Sequence, residues 1–231
     1  MKMQLAVLDP NNPEQSFPPI NDALSVPDGL LAVGGCLSTR RLLNAYRQGI
    51  FPWNSKDEPI LWWSPNPRLV LFTDKLIVSR SLGKTLRKQK FTVTTDQAFA
   101  EVVCACAKPR KDEMGTWITE GIFQAYYELH KSGYAHSAEA WLNGELVGGL
   151  YGIGIGQVFF GESMFYTETD ASKVAFASLV ERLCQWGYKI VDCQVSTGHL
   201  MNFGAEEIAR SEFATLLEQY CDQSPDPLAW A

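Results

Sequence analysis

The stretch AHSAEAWLNGELVGGLYGIGIGQVFFGESMF, residues 135–165, decides the fold class. In AHSAEAWL the apolar period is two, and Asn143-Gly144 suits the positive φ angles of a two-residue hairpin turn. AHSAEAWL and ELVGGLYG therefore pair as a hairpin, and GQVFFGESMF follows closely enough to add a third strand. The run GIGIG at 152–156 is not read as a nucleotide loop, because Gln157 to Phe160 continue as a strand where a dinucleotide fingerprint opens a helix. Its glycines fit a hairpin that a neighbouring backbone approaches closely.

Beyond the hairpins comes a long amphipathic helix with Val174, Leu179, Val180, Leu183 and Trp186 inward and Gly187 ending it. The strand KIVDCQV and a last helix near SEFATLLEQY follow. Upstream, LVLF at 69–72 reads as a strand. Helices are expected from Ser79, near 96–107, and from Thr119 to Gly133. The class is α+β or mixed α/β, a hairpin-rich sheet flanked by helices. The Pro- and Gly-rich first part has one clear element, a short helix with Ser38 as N-cap, Leu42, Leu43 and Tyr46 on one side and Gly49 as stop. Pro59, Pro65 and Pro67 mark an extended connection. We therefore expect a small N-terminal domain, 1–67, and a larger second domain, 68–231.

With 231 residues, 46% of them hydrophobic, the chain can bury a large core. Its start lacks the apolar run of a signal peptide, and no stretch is long enough to span a membrane. The six cysteines form no CxxC pair, and with three histidines no zinc-ligand spacing appears. Neither a metal nor a cofactor is expected. Reduced thiols make the cytoplasm the natural compartment. A net charge of -6 argues against a polyanion partner on average, yet RSLGKTLRKQK at 80–90 holds five basic residues and no acid. Arg80, Lys84, Arg87 and Lys88 share one helical face, which reads either as solvated surface or as a phosphate contact. Arg110 and Lys111 are candidates to extend it.

In VDCQV, Asp192 and Gln194 leave the same face of a strand and Cys193 the other. Two polar groups on one face of a core-like strand need partners, and the bland reading is a satisfied buried pair. Glu162 strengthens the functional reading, since a carboxylate amid Phe159, Phe160, Met164 and Phe165 is costly without a task. A triad of Cys193, His199 and Asp192 is rejected because Cys193 points away from Asp192. His130 and His136 are read as structural. Trp53, Trp62, Trp63 and Trp117 lie in polar, Pro- and Gly-rich surroundings, where an indole either packs or offers a face to a base.

Taken in order, LLAVGGCLS, LLNAYRQGIFPWN, ILWWSPNPR, GTWIT, AHSAEAW, ELVGGLYG, FFGESMF and VDCQV resemble the leucyl/phenylalanyl-tRNA-protein transferases. The resemblance runs from about Phe17 to Phe213, and its departures are modest, with Asn202-Phe203 where the family has Ser-Leu. It implies a C-terminal domain of the GNAT acyltransferase type used without acetyl-CoA. It further implies transfer of Leu, Phe or Met from aminoacyl-tRNA to the α-amine of proteins with N-terminal Arg or Lys, marking them for N-degron degradation. Asp192 and Gln194 would be the catalytic pair, Asp192 orienting Gln194 and stabilising charge on the attacking nitrogen, with Glu162 central and favourable to a cationic acceptor residue. Trp53 and Trp117 would face the terminal adenosine, and Phe159 and Met164 would help line the amino-acid pocket. Arg80, Lys84, Arg87 and Lys88 would meet the tRNA acceptor stem. The alternatives are an acetyl-CoA-dependent acyltransferase, disfavoured by the missing pyrophosphate loop before a helix, and a noncatalytic tRNA-binding module.

Overall fold

The computed structural model describes residues 5–108 and 116–231. Its elements run β1 (Ala6–Leu8), β2 (Leu30–Gly34), α1 (Thr39–Arg47), β3 (Phe51–Pro52), β4 (Leu61–Trp63) and β5 (Arg68–Phe72). Next come α2 (Arg80–Arg87), β6 (Thr92–Thr95), α3 (Phe99–Cys106), α4 (Glu120–Lys131), β7 (Ala135–Leu142), β8 (Glu145–Ile155) and β9 (Val158–Tyr166). The chain closes with α5 (Ala171–Gln185), β10 (Ile190–Gln194), α6 (Gly198–Met201), β11 (Glu206–Ile208) and α7 (Arg210–Tyr220).

Strands β1 to β4 form a small sheet in the order β1-β2-β4-β3, and the other seven form a larger one in the order β11-β5-β10-β9-β8-β7-β6. The expected hairpins are present: β7 pairs antiparallel with β8 and β8 with β9. The turn between β7 and β8 places Asn143 at φ 54 and Gly144 at φ 82, the positive angles its sequence implied. A Cβ at Gly152 would meet the Phe160 carbonyl oxygen at 2.3 Å, and one at Gly156 the Cys221 carbonyl oxygen at 2.4 Å, so these glycines serve close approach.

Three of the expected helices start at the capping residues that the sequence offers. Ser38, Ser79 and Thr119 each accept a hydrogen bond from a backbone N–H of the first turn of α1, α2 and α4. One face of the large sheet is covered by α1, α3, α4 and α7 around Tyr46, Val102, Tyr126, Tyr151, Phe160 and Phe213. The other is covered by α5 and α2 around Leu82, Leu150, Phe159, Val174, Leu179 and Val191. The first core also takes in Leu8, Phe17 and Trp62, so it continues into the small sheet.

Candidate active site

The sheet carries one parallel pair inside it, β9 with β10, joined by α5, and its register ends at Asp192 opposite Phe160. Past that point both strands are irregular. On β9, Tyr151 faces Ser163 and Gly152 faces Gly161, which leaves Glu162 as an extra, bulged residue. On β10, Asp192 faces Val70 and Gln194 faces Leu69, which leaves Cys193 extra. Gln194 has φ 61, in the left-handed region that non-glycine residues seldom occupy. The two irregularities meet: Gln194 Nε2 donates to Glu162 Oε1 at 3.0 Å across the place where the strands part.

Two helices complete the surroundings of Glu162. The Tyr46 hydroxyl, on α1, donates to Oε1 at 2.7 Å, and the Tyr126 hydroxyl, on α4, lies 2.9 Å from Oε2. The two hydroxyls also contact each other. Tyr151 buries its hydroxyl nearby without a hydrogen-bond partner among the described residues. Burial pushes the Glu162 carboxyl up to about 8; the tyrosine hydrogen bonds pull it down, the Asp192 charge raises it and Arg68 lowers it. Burial, seconded by the Glu162 charge, holds all three phenols well above their ordinary value.

Asp192 is fully buried, and so is Arg68, at 0% and 1% side-chain exposure. Arg68 Nε donates to Oδ1 at 2.8 Å and Nη2 to Oδ2 at 2.7 Å, a two-pronged pair. The guanidinium also donates to the Gly49 carbonyl at 3.1 Å and lies between the rings of Phe51 and Phe213, at 4.9 and 4.8 Å. Asp192 Oδ1 accepts the backbone N–H of Gln194 at 3.0 Å. It therefore fixes the backbone at the bulge rather than the carboxamide, and no hydrogen bond joins the two side chains. Both Asp192 oxygens are thus paired with Arg68, which offsets the charge expected to act on the attacking nitrogen.

The family profile described as "Leucyl/phenylalanyl-tRNA protein transferase" matches residues 70–218, and that for the N-terminal domain of the same family matches 35–66. The chain belongs to this transferase family. The leucyl/phenylalanyl-tRNA–protein transferase of Methylococcus capsulatus is 54% identical over 226 residues, 98% of this chain and 96% of that protein. The one from Nitrosomonas europaea is 58% identical over 203 residues, 88% of this chain and 86% of its own. Among solved structures, a GCN5-related N-acetyltransferase from Kribbella flavida aligns at a TM-score of 0.39 and 11% identity, covering 70% of this chain and 57% of that one.

As a member of the transferase family the chain is an aminoacyltransferase, and its motifs can be located in three dimensions. Glu162, Asp192 and Gln194 come together at the strand gap. Trp53 is 51% exposed and packs edge-on against Trp63, just past Phe51, which touches Arg68. Trp117 is half-buried ahead of α4. Trp62 is a core residue, with its indole N–H donating to Gly34 at 2.9 Å. Phe159 and Met164 lie on the α5 face of the sheet, opposite Glu162, because the bulge reverses the alternation between them. Phe159 is fully buried. Between them, a Cβ added at Gly161 would meet only the Asp192 backbone oxygen, at 3.4 Å, an ordinary contact.

Arg80, Lys84, Arg87 and Lys88 are all exposed, and none has an ion-pair partner among the described residues. Their helix packs on α5, away from the Glu162 face. Arg110 and Lys111 lie outside the described residues. Cys193 packs into the α5-side core, and burial pushes its thiol up, which agrees with rejecting a nucleophilic triad. The residues missed in the sequence are Arg68, Tyr46 and Tyr126. Tyr46 was legible only as apolar, and nothing local in the chain marks Tyr126. Arg68 ends the WWSPNPR motif, where an arginine opening an apolar strand is itself a signal for a buried partner.

Proposed function

We propose that the protein moves Leu or Phe, and also Met, from aminoacyl-tRNA to the α-amine of proteins that begin with Arg or Lys, marking them for N-degron degradation in the cytoplasm. The observation that carries this reading is the contact between Gln194 and Glu162 across the parted strands. With Nε2 committed to Glu162, the Gln194 carboxamide oxygen is left to accept a hydrogen bond from an amine. The reaction forms a bond from the α-amine nitrogen to the ester carbonyl carbon and breaks that carbon's bond to the ribose 3′-oxygen. One proton leaves the nitrogen and one reaches the ribose oxygen. An α-amine has a pKa of about 7.7–8.0, so part of it is already a free base near neutrality and alignment is the larger task.

Gln194 is the aligning group, and Asp192 is a positioning residue that holds the Gln194 backbone through its N–H. The donor's side chain would enter beside Gly161 against Met164 and Phe159, its adenosine would rest on Trp53 and Trp117, and the basic face of α2 would take the acceptor-stem phosphates. An acidic chain with an isolated run of exposed cations suits that last role, since phosphate affinity depends on unpaired Lys and Arg. The test is direct: labelled leucyl-tRNA is incubated with peptides differing only in their first residue. Label should enter peptides that begin with Arg or Lys and stay out of those that begin with Glu. Label that remains on intact tRNA with every peptide would refute transfer altogether.

A further inference from the structure

Tyr46, Tyr126 and Glu162 make three oxygen-to-oxygen contacts in a closed ring: Tyr46 to Oε1, Tyr126 to Oε2, and Tyr46 to Tyr126. Each contact at hydrogen-bond distance requires one proton between its oxygens. The two phenols supply two protons, and both stay protonated because burial holds them well above their ordinary value. An ionised Glu162 supplies none, which would leave one contact as lone pair against lone pair in a buried site. The third proton has one source, the carboxyl itself.

We propose that Tyr46 and Tyr126 are positioning residues that hold Glu162 as a neutral carboxylic acid at neutral pH, and through it turn the Gln194 carboxamide oxygen toward the acceptor amine. The ring then has a direction. Glu162 Oε2–H donates to Tyr126, Tyr126 donates to Tyr46, and Tyr46 donates to Oε1. Oε1 carries no proton, so it accepts a second bond from Gln194 Nε2, and a flipped carboxamide would set oxygen against oxygen. The groups facing Glu162 are Tyr46 from α1, Tyr126 from α4, Tyr151 from β8, Asp192 and Gln194 from β10, and Arg68 from β5. The two charged ones are paired with each other and largely offset. Burial favours the same neutral state.

One consequence concerns the acceptor. A neutral Glu162 whose oxygens already have partners offers no charge to a cationic side chain, so the preference for Arg or Lys must be read by other groups. The inference rests on the transferase reading only for what Gln194 faces; the state of the carboxyl can be measured without substrate.

The experiment uses the full-length protein carrying ¹³C at its glutamate carboxyls, with the Glu162 resonance assigned by its loss in Glu162→Gln, or in Glu162→Asp where the first fails to fold. The resonance should hold the neutral-acid position at pH 7 and titrate above it. A carboxylate position at pH 7 overturns the proposal. Tyr126→Phe opens the ring and should move the midpoint, whereas an unmoved midpoint also overturns it. Ionisation sets lone pair against lone pair at one ring contact and so displaces the carboxyl that Gln194 bonds. In transfer assays kcat should therefore fall on the alkaline side through the same midpoint, with KM for aminoacyl-tRNA steady and the limb moved in Tyr126→Phe. A limb that ignores the resonance's midpoint overturns the positioning role. A neutral resonance without transfer at any pH would sink the transferase reading and leave the ring intact.

Discussion

Replacing Asp192 by Asn separates two roles that the same residue could have. The side chain makes two hydrogen bonds with Arg68 and one with the Gln194 backbone, all inside the core. Removing one partner of such a pair leaves the other charge buried, at about 3–5 kcal/mol. For a chain of this length that is a fall in Tm of roughly 6–20 °C, at roughly 2–4 °C per kcal/mol. Asn keeps the shape and one acceptor oxygen, so the Gln194 N–H can still be satisfied. We therefore expect a protein that is much less stable, while tRNA affinity well below its Tm stays near that of the wild type. Turnover should drop because Gln194 is held less firmly. Adding Arg68→Met removes the orphaned cation and should recover most of the lost Tm and part of the turnover.

The assay is paired: thermal denaturation, and initial transfer rates from leucyl-tRNA to an Arg-peptide at a temperature where each variant is folded. Gln194→Ala should also lower turnover. The double mutant with Asp192→Asn should cost much less than the product of the two, since the residues act as one unit. An Asp192→Asn protein as stable as wild type but without turnover would refute the positioning role, because it would mean that the charge acts on the reaction itself.

Charge reversal of Arg80, Arg87 and Lys88 to Glu should weaken tRNA binding and reduce the slope of log K against log salt by about 0.9 per lost duplex contact, read in a salt titration. Transfer from a minimal aminoacyl-adenosine should persist, and an unchanged slope would return α2 to solvated surface. Gly161→Val should fill the room beside Met164 and lower kcat/KM for leucyl and phenylalanyl donors roughly 10-fold or more with little change in Tm; unaltered donor kinetics would remove Phe159 and Met164 from the pocket. Glu162 has a folded-state pKa raised from 4.5 to about 8, so the stability from burying its neutral form is complete below 4.5 and is lost as pH rises toward 8. Denaturant unfolding across that window should show a decline of up to about 5 kcal/mol, absent in Glu162→Gln; parallel curves would contradict it.

The elements were legible where a local rule decides them. Asn143-Gly144 set a hairpin, Ser38, Ser79 and Thr119 opened helices, and the apolar stripe from Val174 to Leu183 placed α5. The small sheet was not, because β1, β3 and β4 are two or three residues long and lie among prolines, too short for a period to show. Glu162, Asp192 and Gln194 stood out as polar groups among apolar ones. Their partners did not: Arg68, Tyr46 and Tyr126 lie 124, 116 and 36 residues from the groups they bind, and only folding joins them.

The clearest failure of strand logic is also the most informative. Regular alternation put Asp192 and Gln194 side by side on one face and left Glu162 to a neighbouring strand. In the structure Cys193 and Glu162 are both inserted residues, on adjacent parallel strands, just past the last paired position. The β9–β10 pairing stops at Phe160 and Asp192, and just beyond it Gln194 and Glu162 stay 3.0 Å apart. Gln194 is held in its unfavourable backbone geometry by Asp192, and Asp192 is held by Arg68, whose guanidinium packs against two aromatic rings. On the proposed reading the buried ion pair keeps one carboxamide in place, so its removal should be felt in turnover as well as in stability.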